Sequence, residues 1–227
     1  MNVDDMILVS VDDHVIEPPD MFEGHVPDNL KDQAPKLVRE DDGISRWVFQ
    51  DAVSGNMSLN AVVSWPKEEW GMDPADMSEM RPGCYDKDER IRDFDHNGIL
   101  ASMCFPTFAG FSGNFFFQAP DKDLSLKMLQ AYNDWHIDEY CANKPGRYMP
   151  LAIPPAWDPQ ILADEIRRTA AKGALATTMP ELPHLMGLPS YHDLEYWKPV
   201  FDAFSDTGTV MCCLLYTSDA ADDDYTV

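Results

Sequence analysis

The sequence has few basic residues. Lys and Arg together number 17 among 227 residues, against 40 Asp and Glu, so the formal net charge is −23. Because nucleic-acid binding requires cations that neutralise phosphates, we expect no nucleic-acid partner. An acidic surface of this kind mainly favours solubility, and it indicates no particular substrate.

The sequence also lacks cysteine pairs and long hydrophobic runs. Its 5 cysteines are odd in number and show no C-x-x-C spacing, which is typical of reduced thiols in the cytosol. No apolar segment approaches the ~20 residues that a membrane-spanning helix needs. The acidic start of the chain does not resemble a signal peptide. Composition therefore predicts a cytoplasmic globular protein without membrane contact.

Repeated strand–helix units organise most of the chain. The apolar run Met6–Val11 predicts a buried first strand, and further apolar runs alternate with helical patterns from Asp86 onward. Such alternation gives a parallel sheet covered by helices, either a doubly wound sheet or a (β/α) barrel. No G-x-G-x-x-G follows the first strand, which disfavours a nucleotide-binding doubly wound sheet. A complete barrel usually needs about 250 residues. The sequence therefore predicts an α/β fold, the N-terminal part of a (β/α)8 TIM barrel with about five β/α units.

A segment after the first strand has a different pattern. Between about residues 30 and 65, the strand-like runs Lys36–Arg39 and Ile44–Gln50 flank the turn residues Asp41–Gly43, which predicts a hairpin. A further strand is expected over Met57–Val63. The segment is interpreted as an antiparallel β insertion in the barrel.

The end of the sequence does not continue the strand–helix pattern. Thr209–Cys212 predicts the start of another buried strand. The run C-L-L-Y-T-S-D-A-A-D that follows has no cap, turn or period, and it resembles a sequencing-library adapter translated in one frame. We therefore interpret residues 1–212 as an incomplete barrel and residues 213–227 as a non-native tail. The alternative is a natural acidic tail.

Two potential metal ligands follow the first strand. Asp12 and His14 are two residues apart, so their side chains are expected on the same side of the strand end, with Asp13 pointing away. A carboxylate and an imidazole are ordinary zinc ligands, and active sites lie at the carboxyl ends of barrel strands. The alternative is that Asp12 and Asp13 cap a turn and that His14 makes an ordinary hydrogen bond.

Five other side chains are candidates for contact with a small-molecule substrate. Arg81 precedes the first outer helix, where it could pair with a substrate carboxylate or form an ion pair with another loop. Phe105 and Thr107 lie at the end of the second parallel strand and could line the pocket. His184 and His192 fall in the loop and helix start after the fourth parallel strand, on the face where substrates bind.

Several segments together resemble a known family. Val9–Phe22 (V-S-V-D-D-H-V-I-E-P-P-D-M-F) is similar to the opening of the amidohydrolase-related proteins, the amidohydrolase 2 group, which is similar to the aminocarboxymuconate-semialdehyde decarboxylases. Further matching segments extend the resemblance over residues 6–212. These segments are Arg81–Asp86, Asp93–Pro106, Ala131–Trp135 and Gly187–Pro189.

The resemblance implies a metal-dependent (β/α)8 barrel, usually with zinc. Its members hydrolyse C–N or C–C bonds, or remove carboxylate groups from small, often aromatic or unsaturated acids. The two ligands of the family's first-strand motif correspond to Asp12 and His14, with Asp12 where many relatives have His or Glu. The family also uses a His at the end of the fifth strand and an Asp near the end of the eighth. The expected His position falls in the tail, and the Asp would lie beyond the chain.

We therefore expect a metal-dependent hydrolase or carboxy-lyase. We expect the present chain to be truncated and inactive, and its catalytic residues are unknown. The alternative is a non-catalytic α/β fragment or binding protein. Weak zinc binding by Asp12 and His14 would distinguish a truncated metalloenzyme from a metal-free binding protein. The phenylalanine-rich segment 108–117 could form a lid, a contact in a homo-oligomer or ordinary packing.

Overall fold

A computed structural model describes residues 6–71 and 73–213 of the chain. The predicted tail at 213–227 lies outside the described residues except for Cys213, as does the acidic start at residues 1–5. The β-strands are β1 (Leu8–Val15), β2 (Lys36–Arg39), β3 (Ser45–Phe49), β4 (Ala52–Val53), β5 (Ile99–Pro106), β6 (Leu151–Ala152), β7 (Ala176–Thr178) and β8 (Val210–Cys212). The α-helices are α1 (Lys87–Asn97), α2 (Asn114–Gln118), α3 (Lys122–Asp134), α4 (Pro159–Lys172) and α5 (Leu194–Thr207). A π-helix (Trp135–Cys141) continues α3, and 3-10 helices cover Asp28–Gln33, Lys67–Glu69, Met77–Glu79, Pro82–Cys84 and Pro183–Met186.

Parallel strands form two hydrogen-bonded groups. β1 pairs with β5, while β6, β7 and β8 pair in that order. A parallel bridge between Ser102 in β5 and Tyr148, just before β6, connects the groups, and Met149 N donates to Ser102 O at 2.8 Å. Neighbouring parallel strands thus follow chain order with helices between them, as in a (β/α) barrel. This confirms the predicted α/β fold with parallel sheets, although the strands of the described residues do not close into a barrel.

Aspartate and glycine set the ends of three long helices. In α1, α4 and α5, the carboxylate of the preceding aspartate accepts a backbone N–H of the first turn, and a glycine with positive φ ends the helix. The aspartates are Asp86, Asp158 and Asp193, and the glycines are Gly98, Gly173 and Gly208. None of the described helices has the length and hydrophobicity needed to span a bilayer.

In the sequence, the strands of an antiparallel sheet lie between β1 and α1. β2 and β3 form the predicted hairpin about Asp41–Gly43, and β4 adds to β3. The strand expected over Met57–Val63 is wrong, because these residues form turns and bends. Asn56 Oδ1 accepts the backbone N–H of Ser58 at 3.0 Å and of Leu59 at 2.7 Å, an arrangement that competes with strand pairing. Interpretation of this sheet as an insertion in the barrel stays a prediction.

The main hydrophobic core joins the antiparallel sheet to the first parallel strands and α3. Trp47 of β3 is fully buried and stacks on Phe108, with ring centroids 4.5 Å apart. Phe115 and Phe116 are buried in the same core, so most of the phenylalanine-rich segment packs in the interior. All 5 cysteines are free thiols, as expected.

Candidate functional site

The predicted metal motif occupies the carboxyl end of β1, beside the end of β5. The register with β5 shifts between Ser10 and Asp13, so Asp12 lies in an irregular stretch of the strand. Strict alternation of side chains therefore does not hold here. Asp13 turns towards β5 and accepts a hydrogen bond from Ser102 Oγ, while Asp12 is exposed.

One hydrogen bond orients the ring of His14. Its Nδ1 lies 3.2 Å from the carbonyl oxygen of Pro106, at the end of β5. A carbonyl only accepts, so we infer that Nδ1 carries the proton and that Nε2 keeps its lone pair in the neutral ring. Burial lowers the pKa of His14, against the raising effects of this hydrogen bond and of the Asp12 charge. The neutral ring with one oriented nitrogen is what a metal-binding histidine needs.

A cavity of about 180 Å³ lies beside His14. Its walls come from the ends of β1 and β5, from α1 and from the turn at residues 58–61. Its volume is below the ~300–1,000 Å³ of sites for drug-sized ligands, so it suits a small molecule or one group of a larger one. The lining residues are His14, Ile16, Ser58, Leu59, Asn60, Ala61, Cys84, Arg90 and Thr107.

Arg90 of α1 fixes the backbone on one side of the cavity. Its Nη2 donates to the carbonyl oxygens of His14 at 2.7 Å and of Cys84 at 3.0 Å, and Nε donates to Gly83 O at 2.7 Å. Its Nη1 lies 3.3 Å from the thiol of Cys104. These contacts hold the end of β1 against the turn before α1. Arg90 was not among the residues predicted from the sequence, since nothing distinguishes it from its charged neighbours on a largely polar helix.

Glu17 fixes the segment that carries Thr107, another residue of the cavity wall. The residue is fully buried, and its Oε1 accepts from the backbone N–H of Thr107 and from the Tyr132 hydroxyl, both at 2.9 Å. Its Oε2 accepts from the backbone N–H of Phe108 at 3.1 Å. Burial raises the pKa of Glu17 to about 7, against the lowering effect of these donors. This role of Glu17 was not predicted either, although a carboxylate inside the run V-I-E-P was a signal for it.

Two of the five predicted substrate residues lie near His14. Thr107 lines the cavity, and its Oγ1 is buried without a hydrogen-bond partner in the described part of the chain. The ring of Phe105 lies 6.2 Å from that of His14 and stacks on Phe111 at 4.9 Å between centroids. Thr107 therefore belongs to the cavity wall, whereas Phe105 packs in the core, and contact of either with a substrate stays a prediction.

The other three predicted substrate residues do not line this cavity. Arg81 forms a two-point ion pair with Asp93, with Nε–Oδ2 at 2.8 Å and Nη2–Oδ1 at 2.5 Å, which occupies its guanidinium. His184 lies in the 3-10 helix after β7, and His192 lies just before α5. Both histidines are exposed. Contact of these three with substrate stays a prediction.

The metal-ligand chemistry at the end of β1 fits a divalent cation only in part. Asp12 offers a carboxylate and His14 offers Nε2, which are hard and borderline donors suited to zinc or manganese. Catalytic zinc sites use three protein ligands. Within residues 6–71 and 73–213, no group of three or more His, Cys, Asp or Glu side chains is arranged to hold a metal ion. Asp12 and His14 are one ligand short of such a site, so metal binding by these two residues stays a prediction.

Comparison with known proteins identifies a family for most of the chain. The sequence model of the amidohydrolase family matches residues 22–219. An amidohydrolase from Mycobacterium avium subsp. paratuberculosis K-10 has a similar structure, with a TM-score of 0.65 at 21% identity. A dihydroxybenzoic acid decarboxylase from Polaromonas sp. JS666, solved with manganese and the inhibitor 2-nitroresorcinol, gives a TM-score of 0.56 at 15% identity. At these identities the similarity concerns the fold.

The two solved structures are longer than this chain. Each comparison covers 96% of the present chain, but 60% of the amidohydrolase and 52% of the decarboxylase. No curated protein matches the sequence.

Proposed function

Because this chain belongs to the amidohydrolase family, we propose that it is part of a metal-dependent hydrolase or decarboxylase of small organic acids. Its metal site begins with Asp12 and His14. The observation that carries the proposal is the orientation of His14, whose Nδ1 is bonded to Pro106 O and whose Nε2 is left for a ligand beside a cavity. Aromatic acids are the favoured substrates, in keeping with the dihydroxybenzoic acid decarboxylase of similar fold.

In this proposal, Asp12 and His14 Nε2 hold a divalent cation. Zinc is the expected metal, and manganese, present in the decarboxylase of similar fold, is the alternative. When bound, the cation supplies Lewis-acid polarisation of a substrate oxygen. The two protein ligands by themselves predict weak binding, so we propose that this chain alone does not turn over substrate.

The remaining residues of the site position groups and shape the cavity. Pro106 O orients the His14 ring, and Arg90 holds the backbone of the same residue. Glu17 holds the loop that carries Thr107. The substrate enters a space whose wall is held at His14 by α1, through Arg90, and at Thr107 by α3, through Glu17. Fixed walls hold a substrate in one orientation relative to the reacting groups, which speeds the reaction between them.

The proposal is tested by calorimetric titration of zinc and manganese into the full chain. We expect weak binding of one cation, reduced about tenfold or more in Asp12→Asn and in His14→Gln, because each variant loses a ligand. His96→Gln, an exposed histidine in the last turn of α1, is the matched control and should bind as the unaltered chain does. Equal binding by all four proteins would contradict the proposed site. Absence of binding would favour the alternative, a non-catalytic α/β fragment or binding protein.

A further inference from the structure

One edge of β1 is free. The strand pairs with β5 on one side, and no strand of the described residues pairs with it on the other. A free edge presents backbone N–H and C=O groups that can pair with another chain. The first half of β1 has no charged residue and no proline, and large apolar side chains are exposed along it and just before it. These side chains are Met6, Ile7, Leu8, Val9 and Val11.

The edges at β2, β4 and β8 are protected or short. β2 carries Lys36 and Arg39, and charged side chains on an edge strand oppose pairing with another chain. β4 has 2 residues and β8 has 3. Among these edges, β1 therefore offers the longest unprotected stretch of backbone.

The apolar pattern of this edge is complementary to itself. Ile7, Val9 and Val11 are 73%, 45% and 62% exposed, and alternate residues of a strand share a face. In antiparallel pairing about a two-fold axis at Val9, this residue meets its own copy and Ile7 meets Val11, which gives β-branched cross-strand pairs. The same register sets Asp12 opposite Met6, so the acidic ends of the two strands lie apart.

We propose that two copies of this chain associate through antiparallel pairing of their β1 strands. Each β1 already pairs with β5, so the contact uses both free edges and closes at two copies. Covering the five side chains on both copies would bury on the order of 1,000 Å², near the lower limit for a specific interface. The net charge of −23 on each copy opposes association. We therefore expect a weak, reversible dimer that salt strengthens by screening this repulsion.

Sedimentation velocity of the full chain over a range of concentrations, at about 0.05 and 0.5 M salt, tests the dimer. We expect the dimer fraction to rise with concentration and with salt. Val9→Lys places two like charges at the two-fold axis and should weaken association about tenfold or more. Val9 is half-exposed, so this variant should fold, which circular dichroism verifies. Val53→Lys is the matched control, because Val53 of β4 is 54% exposed and gains the same charge.

Val9→Cys tests the register directly. Residues opposite each other in an antiparallel pair are close enough for a disulfide, so mild oxidation should link the two copies through this position. The exposed Cys213 can also form a cross-link between copies. Val53→Cys and the unaltered chain measure that background, and we expect Val9→Cys to cross-link well above both.

Each outcome decides the proposal. A monomer under all conditions would leave the edge to a different polypeptide and overturn the dimer, as would association that continues beyond two copies. Unchanged association of Val9→Lys, or cross-linking of Val9→Cys at the background rate, would overturn the contact through β1. Val210→Lys alters the exposed edge of β8. Loss of the dimer in that variant alone would place the contact at β8 instead.

Discussion

The hydroxyl of Tyr132 in α3 donates a hydrogen bond to Oε1 of Glu17, which lies 115 positions earlier in the chain. The same carboxylate accepts the backbone N–H groups of Thr107 and Phe108. One buried side chain thus joins the segment after β1, the loop after β5 and α3. The position of the cavity wall at Thr107 depends on this junction.

Glu17 should make stability fall as pH rises. Burial raises its folded-state pKa to about 7 from the ordinary 4.5, so between these values the folded protein binds more protons than the unfolded chain. The free energy of unfolding therefore decreases through this window, by up to about 3 kcal/mol from this residue. Glu17→Gln should remove this part of the pH dependence. Urea denaturation of both proteins at about pH 4.5 to 8 measures it, and identical pH dependence would contradict the assignment.

Tyr132→Phe provides an independent check of the same junction. The hydrogen bond from Tyr132 lowers the pKa of Glu17. Its removal should move the midpoint of the pH-dependent stability loss to higher pH, whereas Glu17→Gln abolishes that loss. A midpoint at or below that of the unaltered protein would show that the hydroxyl does not stabilise the carboxylate.

His136 should have the opposite effect on stability. Burial lowers the pKa of its fully buried ring to about 4 from 6.5, although its Nε2 lies 3.1 Å from Cys104 O. Below about pH 6.5 the unfolded chain takes up a proton that the folded protein does not, so the free energy of unfolding falls as pH decreases towards 4. The ring proton resonances of His136 should titrate near pH 4. A midpoint above about 6 would contradict its burial as a neutral ring.

Arg90→Met should be strongly destabilising. The variant leaves the carbonyl oxygens of Gly83 and His14 without the donor they have in the structure. Loss of several buried hydrogen bonds predicts a decrease of about 3–5 kcal/mol in the free energy of unfolding. Arg92→Met, two residues along α1 and exposed, is the control and should change stability by less than about 0.5 kcal/mol. Similar losses in the two variants would mean that Arg90 does not hold the cavity wall.

Gly83→Ala should disturb the ion pair of Arg81. A Cβ atom at Gly83 would lie 2.2 Å from Asp93 Oδ2, which is the oxygen that accepts from Arg81 Nε. Asp93 can rotate away only by giving up this ion pair, which predicts a loss of about 1 kcal/mol or less in the free energy of unfolding. Gly55→Ala is the matched control, since nothing lies within 4 Å of a Cβ atom there. Thermal denaturation compares the two, and an equal effect would contradict the tight contact.

Local signals predicted most of the secondary structure. The alternation of apolar runs and helical patterns from Asp86 onward is such a signal, since the aspartates and glycines that end α1, α4 and α5 act only on neighbouring backbone groups. The hairpin of β2 and β3 follows from its turn residues in the same way. The error at Met57–Val63 arose because the apolar pattern resembled a strand, while the side chain of Asn56 stabilised a turn.

The candidate site was less accessible to prediction from sequence. Asp12 and His14 are close in the chain, and their spacing after a strand identified them as a pair. Glu17 and Arg90 form hydrogen bonds with residues of other elements, and no local sequence pattern indicates such contacts. The change in strand register before Asp13 likewise depends on pairing with β5, which the sequence of β1 does not specify.

Metal binding by Asp12 and His14, of which His14 lines the cavity, is the basis of the proposed function. The most direct measurement adds substoichiometric manganese to the ¹⁵N-labelled full chain and records which amide resonances broaden. We expect broadening centred on His14 that also affects Asn60 and Thr107, which line the same cavity, and that is lost in His14→Gln. Broadening centred on other acidic surfaces, or unchanged in that variant, would contradict it.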